Sequence, residues 1–491
     1  MTSVASDPAL TIYNQNFAVV RDTVPLNLQA GENDVSFADT TAHLEPDSVI
    51  LRDPTGKINL LILEQNYRND PVSQDLLLSL FEGKTIDFLV KSETKPDQVI
   101  QGKIIRSGYV AHSQEAMQRY VQQYYQSQMG MAYGNGGTSQ PIIEVDGKIQ
   151  FGLPGLPIFP SLGDDTILKP MINWKIAADA PGKLDAELAY VTGGMSWEAD
   201  YNVIAPEDSD LIDVIGWVTM DNQSGKTFNN AKIKLMAGDV SKIQDQNGVG
   251  GAVAMSMVMH EAKELPPTVT EKAFDEYHLY SLPRATTLHD GETKQVEFIH
   301  ATGVKSDKYY VYDGLKVDWN QYGGWNMQNI RQNEQFGSES DTKVAVMREF
   351  KNSEDNHLGM PLPKGRVRFY KHDGDQLEFT GENEIDHTPK DEMIKIYTGN
   401  AFDLVGERTR TYFRVDNGND WAEEAFQIKL RNHKKDPVEI RVDEHLYRWT
   451  NWEISENTDP FVMTDAQAIE FRVQLKPDEE KTLSYKVHYS W

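Results

Sequence analysis

The chain has 491 residues, which at roughly 150 residues per domain is room for about three domains. Its 75 Asp and Glu outweigh 48 Lys and Arg, and the net charge of −27 opposes binding to nucleic acid and electrostatic docking on an anionic membrane. There is no cysteine, so disulfides, thiolate nucleophiles, zinc fingers and iron–sulfur ligation are excluded. The 39% hydrophobic and 10% aromatic shares are those of a folded chain.

The N-terminus, MTSVASDPAL, has neither a basic stretch nor an apolar core of the signal-peptide kind. It suits a mature form placed behind a new Met, or a cytoplasmic protein if the terminus is native. No apolar run reaches the length of a membrane span; the longest weakly polar stretch, GVGGAVAMSMVM at 248–259, is too short.

Further along, Pro54-Thr55-Gly56 reads as a turn, and Ser73 to Phe81 as a short helix with a Ser cap and a stop at Gly83. Ser113 to Gln128 has helix-favouring composition and runs into the Gly-rich MGMAYGNGGTSQ. We read 112–140 as an arm between two strands, less ordered than its surroundings or ordered through another chain. Asp146-Gly147 is a hairpin signal. The segment 151–170 carries Pro154, Pro157, Pro160 and Pro170 and reads as a stiff extended crossing that ends at a domain boundary.

Beyond it, period-two alternation recurs. Val438, Ile440 and Val442 alternate with Glu439, Arg441 and Asp443; Ile469 to Leu475 and Leu483 to Trp491 do the same. One buried and one wet face per strand is the antiparallel pattern. Asp373-Gly374, Asp436-Pro437 and Lys476-Pro477-Asp478 supply turns. Residues 217–235 align without gaps to 412–430, with Asp221-Asn222 over Asp416-Asn417 and Ile233-Lys234-Leu235 over Ile428-Lys429-Leu430. The repeat predicts two equivalent hairpins, with Ile233, Leu235, Ile428 and Leu430 inward and Lys234 and Lys429 outward.

The expected fold is all-β: tandem immunoglobulin-like β-sandwiches preceded by an N-terminal β-sandwich or small barrel, with few short helices. The expected domains are 10–170, with the inserted arm at 112–140; 171–365, a first sandwich; and 366–491, a C-terminal immunoglobulin-like sandwich.

Two clusters could carry chemistry. Asp386, His387, Asp391 and Glu392 fall within DHTPKDE, where an acid beside an imidazole suits a general base or a divalent metal; a polar turn built around Pro389 explains them equally. Met255, Met257, Met259 and His260 are soft donors suited to Cu(I), or gap-filling residues of a loop. No nucleophile elbow, phosphate loop, dinucleotide fingerprint or zincin helix is present. No catalytic residue, cofactor or metal is assigned.

Several blocks resemble one bacterial family: LTIYNQNFAVVRD (10–22), LEQNY (63–67), TGGMSWEADY (192–201), DNQSGKTFNNAKIKLMAGDV (221–240), FDEYHLYSLPRATTL (274–288), LPKGRVRFYKHDG (362–374), DHTPKDE (386–392) and AFDLVGERT (401–409). The family is the domain-of-unknown-function 4139 family, whose relatives include mucoidy-inhibitor-A-like proteins. The resemblance covers nearly the whole chain and implies a mostly β, envelope-associated protein, usually made with a signal peptide. It carries over no catalytic residue, and the arm lies outside the matching blocks.

Together these features point to a non-catalytic envelope or extracellular protein that acts by binding or self-assembly, through sheet edges or the 112–140 arm. The compartment expected is periplasmic, cell-surface or extracellular. The alternatives are a carbohydrate- or polysaccharide-related binding module and a hydrolase using the acid/His loop at 386–392.

Overall fold

The structure is a computed structural model. It describes residues 7–69, 72–91, 96–109, 140–160, 167–206, 210–238, 240, 269–315, 317, 322, 324–416, 418 and 420–491. The predicted arm, apart from Gln140, and the Met255–His260 cluster lie outside these residues.

Strands dominate. The first are β1 (Ala9–Tyr13), β2 (Phe17–Leu28), β3 (Gly31–Ala38), β4 (Ile50–Arg52), β5 (Leu60–Arg68), β6 (Thr85–Val90), β7 (Gln98–Arg106) and β8 (Ile142–Val145). Next come β9 (Lys148–Phe151), β10 (Leu156–Ile158), β11 (Met171–Ala178), β12 (Gly182–Gly193), β13 (Met195–Ala205), β14 (Leu211–Asn222) and β15 (Phe228–Ala237). They are followed by β16 (Thr270–Phe274), β17 (Tyr277–Ser281), β18 (Thr286–Leu288), β19 (Glu292–Lys305), β20 (Asp307–Asp313), β21 (Lys343–Lys351), β22 (Gly365–Asp373) and β23 (Gln376–Ile385). The last are β24 (Met393–Asp416), β25 (Trp421–Asn432), β26 (Val438–His445), β27 (Trp452–Asn457), β28 (Phe461–Asp465), β29 (Ala468–Leu475) and β30 (Glu480–Ser490). The described residues hold two short α-helices, α1 (Gln74–Leu80) and α2 (Met327–Gln332). The fold is therefore all-β, built from several separate open sheets; the small barrel entertained for the N-terminal region does not form among the described residues.

The chain divides into two compact units, neither of them one continuous stretch. The first holds residues 1–197, 220–265 and 279–294; the second holds 198–219, 266–278 and 295–491. In the first unit, one sheet runs β15-β1-β2-β12-β4 and a second runs β3-β11-β5. The β1–β15 pair is parallel, Leu10 opposite Ile233 and Ile12 opposite Leu235, and all four side chains are buried. A third, five-stranded sheet runs β10-β6-β7-β8-β9. In the second unit the order is β19-β14-β13-β22-β23, with β13 and β22 parallel, and then the nine-stranded β27-β30-β25-β24-β21-β20-β26-β29-β28. The two halves of the nine-stranded sheet fold over one core: Phe471 of β29 lies 5.7 Å from Tyr485 of β30, ring centre to ring centre.

The local signals act as their chemistry requires. The Ser73 hydroxyl accepts the Leu76 N–H and caps α1. Asp146 and Gly147 both take positive φ, 49° and 72°, as a two-residue hairpin with primed-turn twist demands. In the predicted repeat, 412–430 is a hairpin: β24 pairs with β25, Phe413 opposite Glu424 and Arg408 opposite Ile428. The other half is corrected. Residues 217–222 end β14 and 228–235 lie in β15, and these two strands belong to different sheets. The inward parity of Ile233, Leu235, Ile428 and Leu430 holds all the same, because alternation sets a strand's face without setting its partner. The proline-rich crossing is also corrected: Leu156–Ile158 pairs with β6 as the edge strand β10, with Pro157 opposite Phe88. An edge strand needs only one ladder, so the missing proline N–H is tolerated there.

Candidate functional site

The acid/His loop is held by main chain. Leu362 and Thr388 exchange both N–H···O=C bonds, at 2.8 and 2.9 Å. The buried Asn352 amide donates to the carbonyls of Met360 and Pro389, and the Asp391 N–H donates to the Asn352 carbonyl. Asp391 sits at φ 69°. The four side chains named from sequence, Asp386, His387, Asp391 and Glu392, all lie at the exposed surface. His387 Nδ1 accepts the Lys364 N–H at 3.1 Å, and Asp386 lies 3.9 Å from the Lys364 ammonium. All four side chains thus face solvent rather than one another. No group of three or more His, Asp or Glu among the described residues is placed to hold a metal ion.

Alternation hid two buried charge networks in the second unit. Glu424 and Glu444 occupy core parity in β25 and β26, between Ala422 and Phe426 and after Val442. A carboxylate at an inward position is the signal sequence reasoning passed over. Glu444 is fully buried and receives Arg408 Nε at 2.9 and 3.0 Å and the Tyr485 hydroxyl at 2.5 Å. Glu424 receives Arg448 at 2.7 Å and Arg410 at 3.2 Å. Other guanidinium donors turn to a neighbouring segment, while Arg448 Nε is buried without a hydrogen-bond partner among the described residues. Arg448 donates to the carbonyls of Ile330, Arg331, Asn333 and Phe336, and Arg408 to that of Gly337. Every donor aimed at this segment ends on main-chain oxygen, so the network fastens rather than catalyses.

On the outer face of the same sheet, Asp443 stands opposite Glu470 and Asp313. Burial, and then these two like charges, push its carboxyl up to about 6. His445 is raised in turn, chiefly by its hydrogen bond to Asp313 at 3.2 Å.

Also in the second unit, a hollow of about 390 Å³ opens at the start of the parallel β20–β26 pair. Tyr309 faces outward under the Arg441 guanidinium, 3.8 Å from the ring centre, and Arg441 reaches Glu349 at 3.5 Å. Tyr310 faces the core; the Lys434 ammonium meets its hydroxyl at 2.7 Å, and Lys308 lies 5.7 Å from its ring centre. Among the described residues neither lysine has a carboxylate at ion-pair distance.

The third feature belongs to the five-stranded sheet of the first unit. Its inner face packs Ile86, Phe88, Ile104 and Ile143 against Leu78 of α1. Gly102 is required there, because a Cβ would come within 2.8 Å of the Phe88 ring. The outer face has no cover among the described residues: Val99 is 57% exposed, Ile149 65%, Phe151 73% and Leu156 54%. Register places Leu156, Leu89 and Val99 in one row at one corner, and Ile142 and Phe151 in a row at the other. Asp87, Gln101, Lys103 and Glu144 lie between. The strands β9 and β10 are its open edges among the described residues.

Comparison of the chain with protein-family models, with curated proteins and with solved structures finds no match. No helix of the described residues is long and apolar enough to cross a membrane.

Proposed function

We propose that this is a non-catalytic protein of the bacterial envelope or cell exterior that works by binding or assembly. The observation that carries the reading is the bare apolar face of the five-stranded sheet. Isolated exposed apolar side chains are ordinary, but a face of them on one short sheet is a contact surface. The acid/His side chains, all exposed and unconverged, support the non-catalytic reading. The envelope setting follows from the family resemblance.

A fluorescent apolar probe such as bis-ANS tests the surface. We expect the native chain to bind it and the Val99→Asp/Phe151→Asp double variant to lose most of the signal at unchanged melting temperature. Equal probe binding by the variant overturns the reading.

The tyrosine-lined hollow favours a second reading, a carbohydrate site. The Tyr309 ring, with Lys308, Lys434 and Arg441 set among Asp307, Glu349, Asp436 and Glu439, makes a polar hollow of mixed charge that suits the hydroxyls of a neutral oligosaccharide. Titration calorimetry with such sugars should then give binding that Lys434→Ala removes; heats equal to buffer dilution reject it.

A further inference from the structure

We infer that the bare face is where a second copy of the chain docks, sheet against sheet; the inference rests on the binding reading above. Three observations support this occupant. The first is the one-sided core. The small sheet buries four large side chains against Leu78 of α1 and, among the described residues, leaves the opposite face to water, so a second identical sheet would complete a two-layer sandwich.

The second is charge. Residues 84–160 carry seven Lys or Arg and six Asp or Glu, a net of +1 within a chain of −27. Two copies meeting elsewhere bring strongly like-charged surfaces together, and here they do not. A basic partner would be drawn to the acidic remainder of the surface and away from this sheet. A neutral apolar face therefore fits the chain's own copy.

The third is self-complementarity. The two apolar corners flank a middle band holding Lys103 with Asp87 and Glu144. A two-fold axis through that band sets Lys103 of each copy against the acids of the other while the corners cover one another. Such an isologous contact closes at two and builds no fibre.

The size of the face sets the strength. Five strands about 4.8 Å apart, three to nine residues long and about five on average at about 3.3 Å per residue, span roughly 20 by 17 Å. The two faces together stay below the roughly 1,200–2,000 Å² of a standard stable interface. The dimer is thus reversible, with a dissociation constant in the micromolar range.

Sedimentation velocity on the full chain, from roughly 1 to 200 µM, tests this. The expected result is a concentration-dependent monomer–dimer equilibrium. Phe151→Asp should raise the dissociation constant about tenfold or more, while Phe402→Asp, at a side chain 98% exposed in the second unit, leaves it unchanged. A monomer at every concentration, or a dimer indifferent to Phe151→Asp, overturns the second copy as occupant. If that monomer still binds bis-ANS through Phe151, the binding surface stands and only its occupant falls. If it does not bind the probe, and amide exchange shows the face covered by the chain's own 110–139 segment, both fall.

Discussion

The nine-stranded sheet of the second unit and the five-stranded sheet of the first handle the same problem in opposite ways. The large sheet folds over itself, and nineteen buried apolar residues form one core; it even admits Arg408 and Glu444, because each finds its partners there. Among the described residues the small sheet has four large buried side chains, one covering helix that adds Leu78, and apolar side chains left in water on its far side. A sheet with surplus core can carry buried charge, whereas a sheet with a deficit of cover presents a surface to something else.

Removing one charge from the large core should have the greatest effect. Glu444→Ala strands the Arg408 guanidinium without its counter-ion, and guanidinium denaturation should show a loss of about 3–5 kcal/mol. The triple replacement Arg408→Met, Glu444→Leu, Tyr485→Phe should recover most of it, because no buried charge is then left unpaired. A triple variant as unstable as the single one would mean that the network itself is the source of stability.

Phe88→Ala in the small core should cost a little less, about 3 kcal/mol, since few neighbours surround it and they can collapse inward. Amide exchange should then speed up in β6 to β9 while β25 and β30 stay protected. Uniform acceleration in both units would break the comparison.

The outer face of the large sheet gives a smaller, pH-dependent effect. The Asp443 carboxyl titrates near 6 in the folded chain, above its ordinary value, so its charged form opposes folding. Stability is lost as pH rises from about 4 to 6, and the raised His445 loses its contribution as pH climbs further. Asp443→Asn should therefore gain about 1–2 kcal/mol at pH 7 and nothing at pH 4. Equal stability of variant and parent at pH 7 contradicts this.

The smallest change in stability is expected at the bare face: Phe151→Asp should alter unfolding by less than about 0.5 kcal/mol, although it should weaken association about tenfold or more. A larger loss would place Phe151 in a packed site after all.

The all-β class, the Ser73 cap, the Asp146-Gly147 turn and the inward parity of Ile428 and Leu430 were legible because each is set by residues a few positions apart. The pairing of β14 and β15 was misread for the same reason. Two strands joined by a short polar segment look like a hairpin whether they pair or pass to different sheets, and the aligned repeat shares its local pattern without sharing its topology. Parallel pairs such as β1 with β15 join residues more than two hundred positions apart and leave no local trace. The acid/His cluster does not converge into a site. The side chains of DHTPKDE are gathered in sequence but spread by a turn that main-chain bonds organise. The hollow at Tyr309 and Tyr310 takes its cations from 308, 434 and 441, which only the fold assembles.

The grip of Arg408 and Arg448 on residues 330–337 has an evolutionary consequence. The clasp's hydrogen bonds read only carbonyl oxygens, which every amino acid supplies, so apart from Phe336, whose buried ring lies 5.5 Å from the Arg448 guanidinium, the clasped residues are exchangeable as far as the clasp is concerned. Among descendants of this chain the segment can drift, lengthen at its exposed turns or acquire new side chains while remaining seated. The two arginines and the two glutamates that hold them can change only together.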